Sequence, residues 1–221
     1  MNNRLGIVAL CLAVAAPLIA QKKEAATLAS STAVLKATLD RGLSRSVLGK
    51  AVCVAIFPNV RKVAFGIGGS YGRGAMVCRK NEELGGSWTA PVMFSLDQGS
   101  LGLQLGSTST DFVATIMNKK AADRMLSGKT KLGSDAAVAA GPGARASTFG
   151  NADVLTYSRT KGVFAGVALS GASVEPDKDA NKALYGKEMT GPEIMSSAPI
   201  VRADQPLVSY LNSVAPGRSR G

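Results

Sequence analysis

Residues 46–74 read SVLGKAVCVAIFPNVRKVAFGIGGSYGRG, and the reading of this stretch sets the architecture. An apolar run ends at Pro58. After a short basic turn the residues alternate in bulk, with Val63, Phe65 and Ile67 set against Ala64, Gly66 and Gly68. Successive side chains of a strand point to opposite faces, so this period of two marks a strand with one filled face and one pared face. A pared face lets something approach the backbone closely. The stretch holds no catalytic constellation and reads as scaffold, which tilts the chain toward binding.

The alternation recurs. Leu101, Leu103 and Leu105 alternate with Gly102, Gln104 and Gly106, and Val163, Ala165, Val167 and Leu169 with Phe164, Gly166, Ala168 and Ser170. Apolar or small character on both faces predicts strands covered on both sides. Gly accounts for 25 of 221 residues without a collagen-like repeat, which assigns the glycines to tight turns, bulges and closely packed strands.

Between these anchors the spacing predicts a helix over 22–41, with Leu28, Leu35, Leu39 and Leu43 on one stripe and Lys23, Arg41 and Arg45 nearly opposite. A short helix over 46–51 feeds a strand at 52–57. Strands follow near 62–69, 73–79, 88–94, 100–106 and 110–117. Asn118 caps a helix over 119–127 that Gly128 ends. Residues 130–140 form a small-residue strand running into the AGPG turn at 140–143, and 153–174 form a hairpin turning at Thr160-Lys161-Gly162. Helical pieces close the chain near 178–187, at the capping-box pattern Thr190-Gly-Pro-Glu193, and after Asp204. Strands in runs with helices at both ends give an α+β fold. Its sheet is expected to be mostly antiparallel and strongly curved or barrel-like, with an N-terminal amphipathic helix and short C-terminal helices.

The first twenty residues have the form of a signal peptide. Arg4 is a short positive region, Leu5 to Ala16 an apolar one, and Pro17-Leu-Ile-Ala20 a cleavage site. The expected divisions are therefore a leader at 1–20, the amphipathic helix at 21–43, one main domain at 44–213 and a disordered tail at 214–221. Export to the periplasm, cell envelope or beyond follows. A net charge of +11 favours anionic phospholipid, acidic polysaccharide or nucleic acid as partner. Nucleic acid is disfavoured, because no block of five like charges exists and aromatics are only 5% of residues, too few for base stacking. Cys53 and Cys78 fall in predicted strands. Export permits a disulfide between them, and two buried free thiols fit equally.

Much chemistry is missing. The chain has no histidine, which removes His-based triads and the commonest general base. The glycine cluster at 66–74 fails the dinucleotide fingerprint, and Gly128-Lys129-Thr130 lacks the first glycine of a phosphate loop, Asp123 standing in its place. Asp177, Asp179, Asn181 and Glu188 occupy calcium-loop positions, but Lys182 replaces the turn glycine, and a helix cap at Asp177 explains the same residues. The carboxylates Asp97, Asp111, Asp123 and Asp135 lie on different elements. The expectation is a non-enzyme with no cofactor and no metal.

The stretch at 46–74 is followed in order by SWTAPVMF (87–94), GLQLGSTSTDFV (102–113), LGSDAAVAAGPGAR (132–145), YSRTKGVFAGVALSG (157–171) and NKALYGK (181–187). Together these resemble the SYLF domain family over roughly Ser44 to Lys187. The resemblance implies a lipid-binding module, since eukaryotic members attach to phosphoinositide membranes and a yeast member also binds actin. Bacterial members are often exported, so anionic phospholipid is the expected ligand here and actin is not expected as a partner. The expected lipid-binding residues are Lys23, Arg41 and Arg45 on the helix, with Arg61, Lys62 and Arg73 at turns flanking the glycine strand. The competing reading is a structural, self-associating envelope protein without a specific lipid. The oligomeric state is left open.

Overall fold

The computed structural model describes residues 5–65, 67–80, 86–101, 106–140, 152–160, 163–165, 169 and 171–217. Gly66, residues 102–105, the rest of the AGPG turn after Ala140, Lys161-Gly162, residues 166–168, Ser170 and the tail after Gly217 lie outside them, together with the expectations that fell there.

Among the described residues, nine strands form one strongly curled sheet. They are β1 (Cys53–Phe65), β2 (Ile67–Cys78), β3 (Val92–Leu101), β4 (Gly106–Ile116), β5 (Thr130–Lys131), β6 (Val138–Ala140), β7 (Val154–Thr160), β8 (Val163–Ala165) and β9 (Ser173–Pro176). The order is β5-β9-β3-β2-β1-β4-β7-β6, with β8 also on β7. Each of these pairings is antiparallel except β6 with β7. The helices are α1 (Leu5–Arg41), α2 (Arg45–Lys50), α3 (Lys119–Ser127), α4 (Lys178–Tyr185), α5 (Gly191–Ser197) and α6 (Gln205–Val214). The α+β class, the curved and mostly antiparallel sheet and the terminal helices are as the sequence predicts.

The sheet is covered on both faces. One apolar layer joins Ala55, Phe57, Met76, Phe94 and Phe112 to Met125 and Leu126 of α3 and Ile194 of α5. The other joins Val54, Ile56, Val77 and Met93 to Leu28 and Leu35 of α1, Leu184 of α4 and Leu207 and Leu211 of α6. Apolar burial of this kind contributes roughly 2 kcal/mol for each fully covered Leu or Ile. Three predicted caps are in place: Asn118 accepts from the Ala121 amide, Asp177 from Ala180, and Thr190 forms a complete capping box with Glu193. Cys53 and Cys78, directly opposed on β1 and β2, are joined by a disulfide. Closing that hairpin contributes about 3 kcal/mol by restricting the unfolded chain.

Several boundaries differ from expectation, each for a physical reason. α1 does not start near residue 22. It runs unbroken from Leu5 through Pro17, the leucines and alanines of that segment favouring helix against the proline. It ends at Arg41, so Arg45 opens a separate helix capped by Ser44. No described helix is long and apolar enough to cross a membrane. The strands expected at 52–57 and 62–69 are not separate, and the second is not one strand: β1 continues through Pro58 and the chain reverses between Phe65 and Ile67, which pair with each other. Likewise Leu101 ends β3 and Gly106 begins β4. The tail expected from residue 214 is ordered farther than that. Val214 is helical and the Ala215 carbonyl accepts from both the Trp88 indole (2.8 Å) and the buried Arg79 guanidinium (3.3 Å), which stacks 4.4 Å from the Trp88 ring.

Candidate anion-binding groove

A single irregularity in β1 builds the site. Before Pro58, Val54 and Ile56 face α1. At Pro58-Asn59 the register of β1 slips against both neighbouring strands, with Asn59 at φ 57°. Asparagine tolerates this left-handed conformation better than most residues. Its amide donates to Asp111 Oδ1 (2.9 Å) and its side-chain oxygen accepts from Ser109. The extra residue of a bulge reverses the inside–outside parity beyond it. Val60 therefore joins Phe57 in the opposite layer. Arg61 instead turns toward α1.

The bulge needs room on β2, and Gly72 and Gly74 provide it. A Cβ on Gly74 would lie 2.0 Å from the Ile56 carbonyl oxygen, and one on Gly72 would lie 2.6 Å from Val60 Cγ2. Gly74 thus admits the Ile56 backbone and Gly72 the Val60 side chain, a close approach of the kind expected at Gly66 and Gly68.

The result is an open groove of about 520 Å³ between α1 and the β1–β2 ribbon. Lys23, Thr27 and Ser30 line one wall, Asn59, Arg61, Tyr71 and Arg73 the other. Three of the six expected lipid-binding residues, Lys23, Arg61 and Arg73, thus meet. Arg41 shares the outer face of α1 with Lys23, but eighteen residues of helix separate them by about 27 Å. Arg45 lies on α2 beside Lys50 and Ala215. Lys62, next to Arg61 on the strand, belongs to the opposite face.

Arg73 is held by acids. Its Nη2 lies 3.1 Å from Asp177 Oδ2 at the cap of α4, its Nη1 lies 3.5 Å from Glu24 Oε1, and its Nε donates to the Tyr71 hydroxyl at 3.0 Å. Burial works against the Arg73 charge, but the Tyr71 hydroxyl and the two carboxylates outweigh it and raise its pKa. Glu24 is 2% exposed, and burial raises its pKa despite the opposing charge of Arg73. Its second oxygen, Oε2, is buried without a partner. Lys23 and Arg61 are exposed and have no ion-pair partner among the described residues. The groove accordingly offers two uncommitted cations, neighbouring hydroxyls and an aromatic wall, a donor set suited to phosphate or carboxylate oxygens.

Glu24, Asp177 and Tyr71 are absent from the expected site. Glu24 was open to detection, since an acid on the same helical stripe as Leu28, Ser31 and Leu35 has to be buried and therefore paired. The other calcium-loop residues have separate roles: Asn181 exchanges two hydrogen bonds with the Met93 backbone and Glu188 pairs with Lys182 at 2.8 Å.

The family described as "Ysc84: Las17-binding protein actin regulator" matches residues 97–214. Among similar proteins, the fission-yeast (Schizosaccharomyces pombe) SH3 domain-containing protein PJ696.02 is 37% identical over 80% of this chain and 42% of its own length. Protein YSC84 of Saccharomyces cerevisiae is 34% identical over 80% of this chain and 39% of its own length. The human SH3 domain-containing YSC84-like protein 1 is 28% identical over 71% of this chain and 46% of its own length. The chain thus spans less than half the length of these relatives. No solved structure matches it. One expectation is corrected here. Actin is not expected as a partner from the sequence, yet the family is described as an actin regulator and relatives carry the name LAS seventeen-binding protein 3. The ordered sequence blocks and the match across the C-terminal half of the fold have one meaning: the chain belongs to the Ysc84, or SYLF-domain, family.

Proposed function

We propose that this protein is a non-enzymatic, exported module that associates peripherally with anionic phospholipid membranes through the groove between α1 and the β1–β2 ribbon. The observation that carries the reading is the convergence of Lys23 and Arg61, from separate segments, as uncommitted cations on one open concave surface. Export rests on the leader-like residues 1–20 and is favoured by the disulfide, which persists in oxidising compartments. Each cation near a charged bilayer contributes about 1 kcal/mol.

Sedimentation with vesicles containing phosphatidylglycerol, against vesicles of phosphatidylcholine alone, tests the reading. Anionic vesicles should bind the protein at low salt and release it as salt rises. The Lys23→Ala/Arg61→Ala double variant should lose about 30-fold in partitioning, two contributions of about 1 kcal/mol each, whereas Arg41→Ala should lose little. Equal binding to both vesicle types, or none to either, refutes it. The family's actin-regulator description favours filamentous actin as a second reading for the same surface. A parallel run with filaments in place of vesicles separates the two.

A further inference from the structure

We propose that Tyr71 is an interfacial anchor, its ring entering the headgroup layer of an anionic bilayer while Lys23 and Arg61 engage phosphates beside it. The proposal rests on the lipid reading above and adds to it a residue, an orientation and an apolar component of binding.

Tyr71 is 52% exposed and Ile200 40%, and among the residues whose side-chain exposure is described no other large apolar side chain is exposed. Ile200 sits in the α5–α6 connection and does not line the groove. Tyr71 stands in one. It is the direct cross-strand neighbour of Arg61, and its hydroxyl accepts from Arg73 Nε. Arg73 is itself fixed by Asp177 and Glu24, so the phenol is held at its polar end and the ring is left to solvent. A tyrosine with one wet end and one bare ring is suited to the boundary between headgroups and acyl chains.

The surroundings favour a flat partner. On the face of the sheet that carries Tyr71, the next positions outward are the paired Gly69 and Gly99. Both are exposed, and a Cβ on either would meet nothing closer than 3.7 Å. On β2 and β3 the two glycines leave the positions next to Tyr71 without side chains, which gives an extended layer room to approach the ring from that side. Asp97, opposite Tyr71 on β3, is exposed and places one opposing charge at the edge. Lys23 and Arg61 outnumber it. A second copy of the chain fits less well, because a twofold contact through this face would bring the same cations together.

Tyr71→Trp in the full chain tests the assignment, using vesicles of phosphatidylglycerol and phosphatidylcholine with acyl chains brominated near the headgroup. The native Trp88 is buried at 1% exposure and provides an internal control that such lipids should leave unquenched. The expected result is a blue shift and quenching of the new indole on binding. Tyr71→Ser should weaken partitioning about tenfold, the effect of returning roughly 60 Å² of ring to water, and should do so equally at low and high salt. If Tyr71→Trp binds vesicles normally and its introduced indole stays unquenched, the anchor is overturned and the lipid reading stands. Failure of the parent protein to bind anionic vesicles overturns both. A blue shift without vesicles that grows with protein concentration, with a dimer by light scattering, assigns the face to a second copy and overturns the anchor.

Discussion

Asp204 gives this fold a stability that depends on pH, and the direction follows from its surroundings. The residue is fully buried at the start of α6. Its Oδ2 accepts from the Val201 amide at 3.0 Å and its Oδ1 has no hydrogen-bond partner. Burial dominates over the Val201 amide and the nearby Tyr185 hydroxyl, and the carboxyl pKa is pushed up from 3.8 to about 7. The folded form therefore keeps a proton that the unfolded chain releases. The favourable contribution is complete below pH 4 and declines as pH rises through 7, where the native carboxyl finally ionises. Taking 3.8 and about 7 as the two pKa values, the loss between pH 5 and pH 8 is roughly 3 kcal/mol. In Asp204→Asn the amide oxygen keeps the Val201 bond and nothing titrates. Its NH2 group replaces the unpartnered oxygen at a cost of about 1–3 kcal/mol, the same at every pH. Urea unfolding of parent and variant at pH 5, 6, 7 and 8 reads both effects. The variant should be the less stable at pH 5 and the gap should close or reverse by pH 8. Parallel pH profiles for the two proteins would refute the reasoning.

Two further outcomes test the scaffold of the groove. Gly74→Ala should destabilise the fold by about 3 kcal/mol in urea melts, because the new Cβ meets the Ile56 backbone oxygen at 2.0 Å and backbone cannot swing away; an unchanged midpoint would show that the bulge yields. Arg73→Met should lose about 2–3 kcal/mol by leaving buried Glu24 without a counter-charge, and adding Glu24→Gln should restore most of it. A double variant that regains stability and still binds anionic vesicles fits a structural Arg73, whereas one that regains stability and no longer binds makes Arg73 a direct lipid contact.

The legible features share one property: their causes are local. Asn118, Asp177 and Thr190 cap helices because the amides they accept from lie three residues ahead. Period-two patterning reported the strands for the same reason. It also misplaced the first hairpin. The alternation of Val63, Phe65 and Ile67 in the sequence reads the same whether the chain runs straight or reverses and pairs position 65 with position 67, so it carries no sign of the reversal. The groove was half legible. Basic residues on α1 and near Pro58 could be named, but the acids that hold Arg73, one on α1 and the other at the cap of α4, leave no trace in its own neighbourhood.

Read alone, the residues establish a double-faced, glycine-rich antiparallel scaffold, its helix caps, its surplus of positive charge and the SYLF resemblance, because each follows from patterns within a few residues or from ordered motifs. Folding in three dimensions settles which cations are available. A bulge at Pro58-Asn59 reverses parity and turns Arg61 rather than Lys62 toward Lys23, while buried Glu24 and the cap of α4 take up Arg73. Those outcomes depend on burial and on partners far apart in the chain, where electrostatic cost is set by the surroundings and not by residue type.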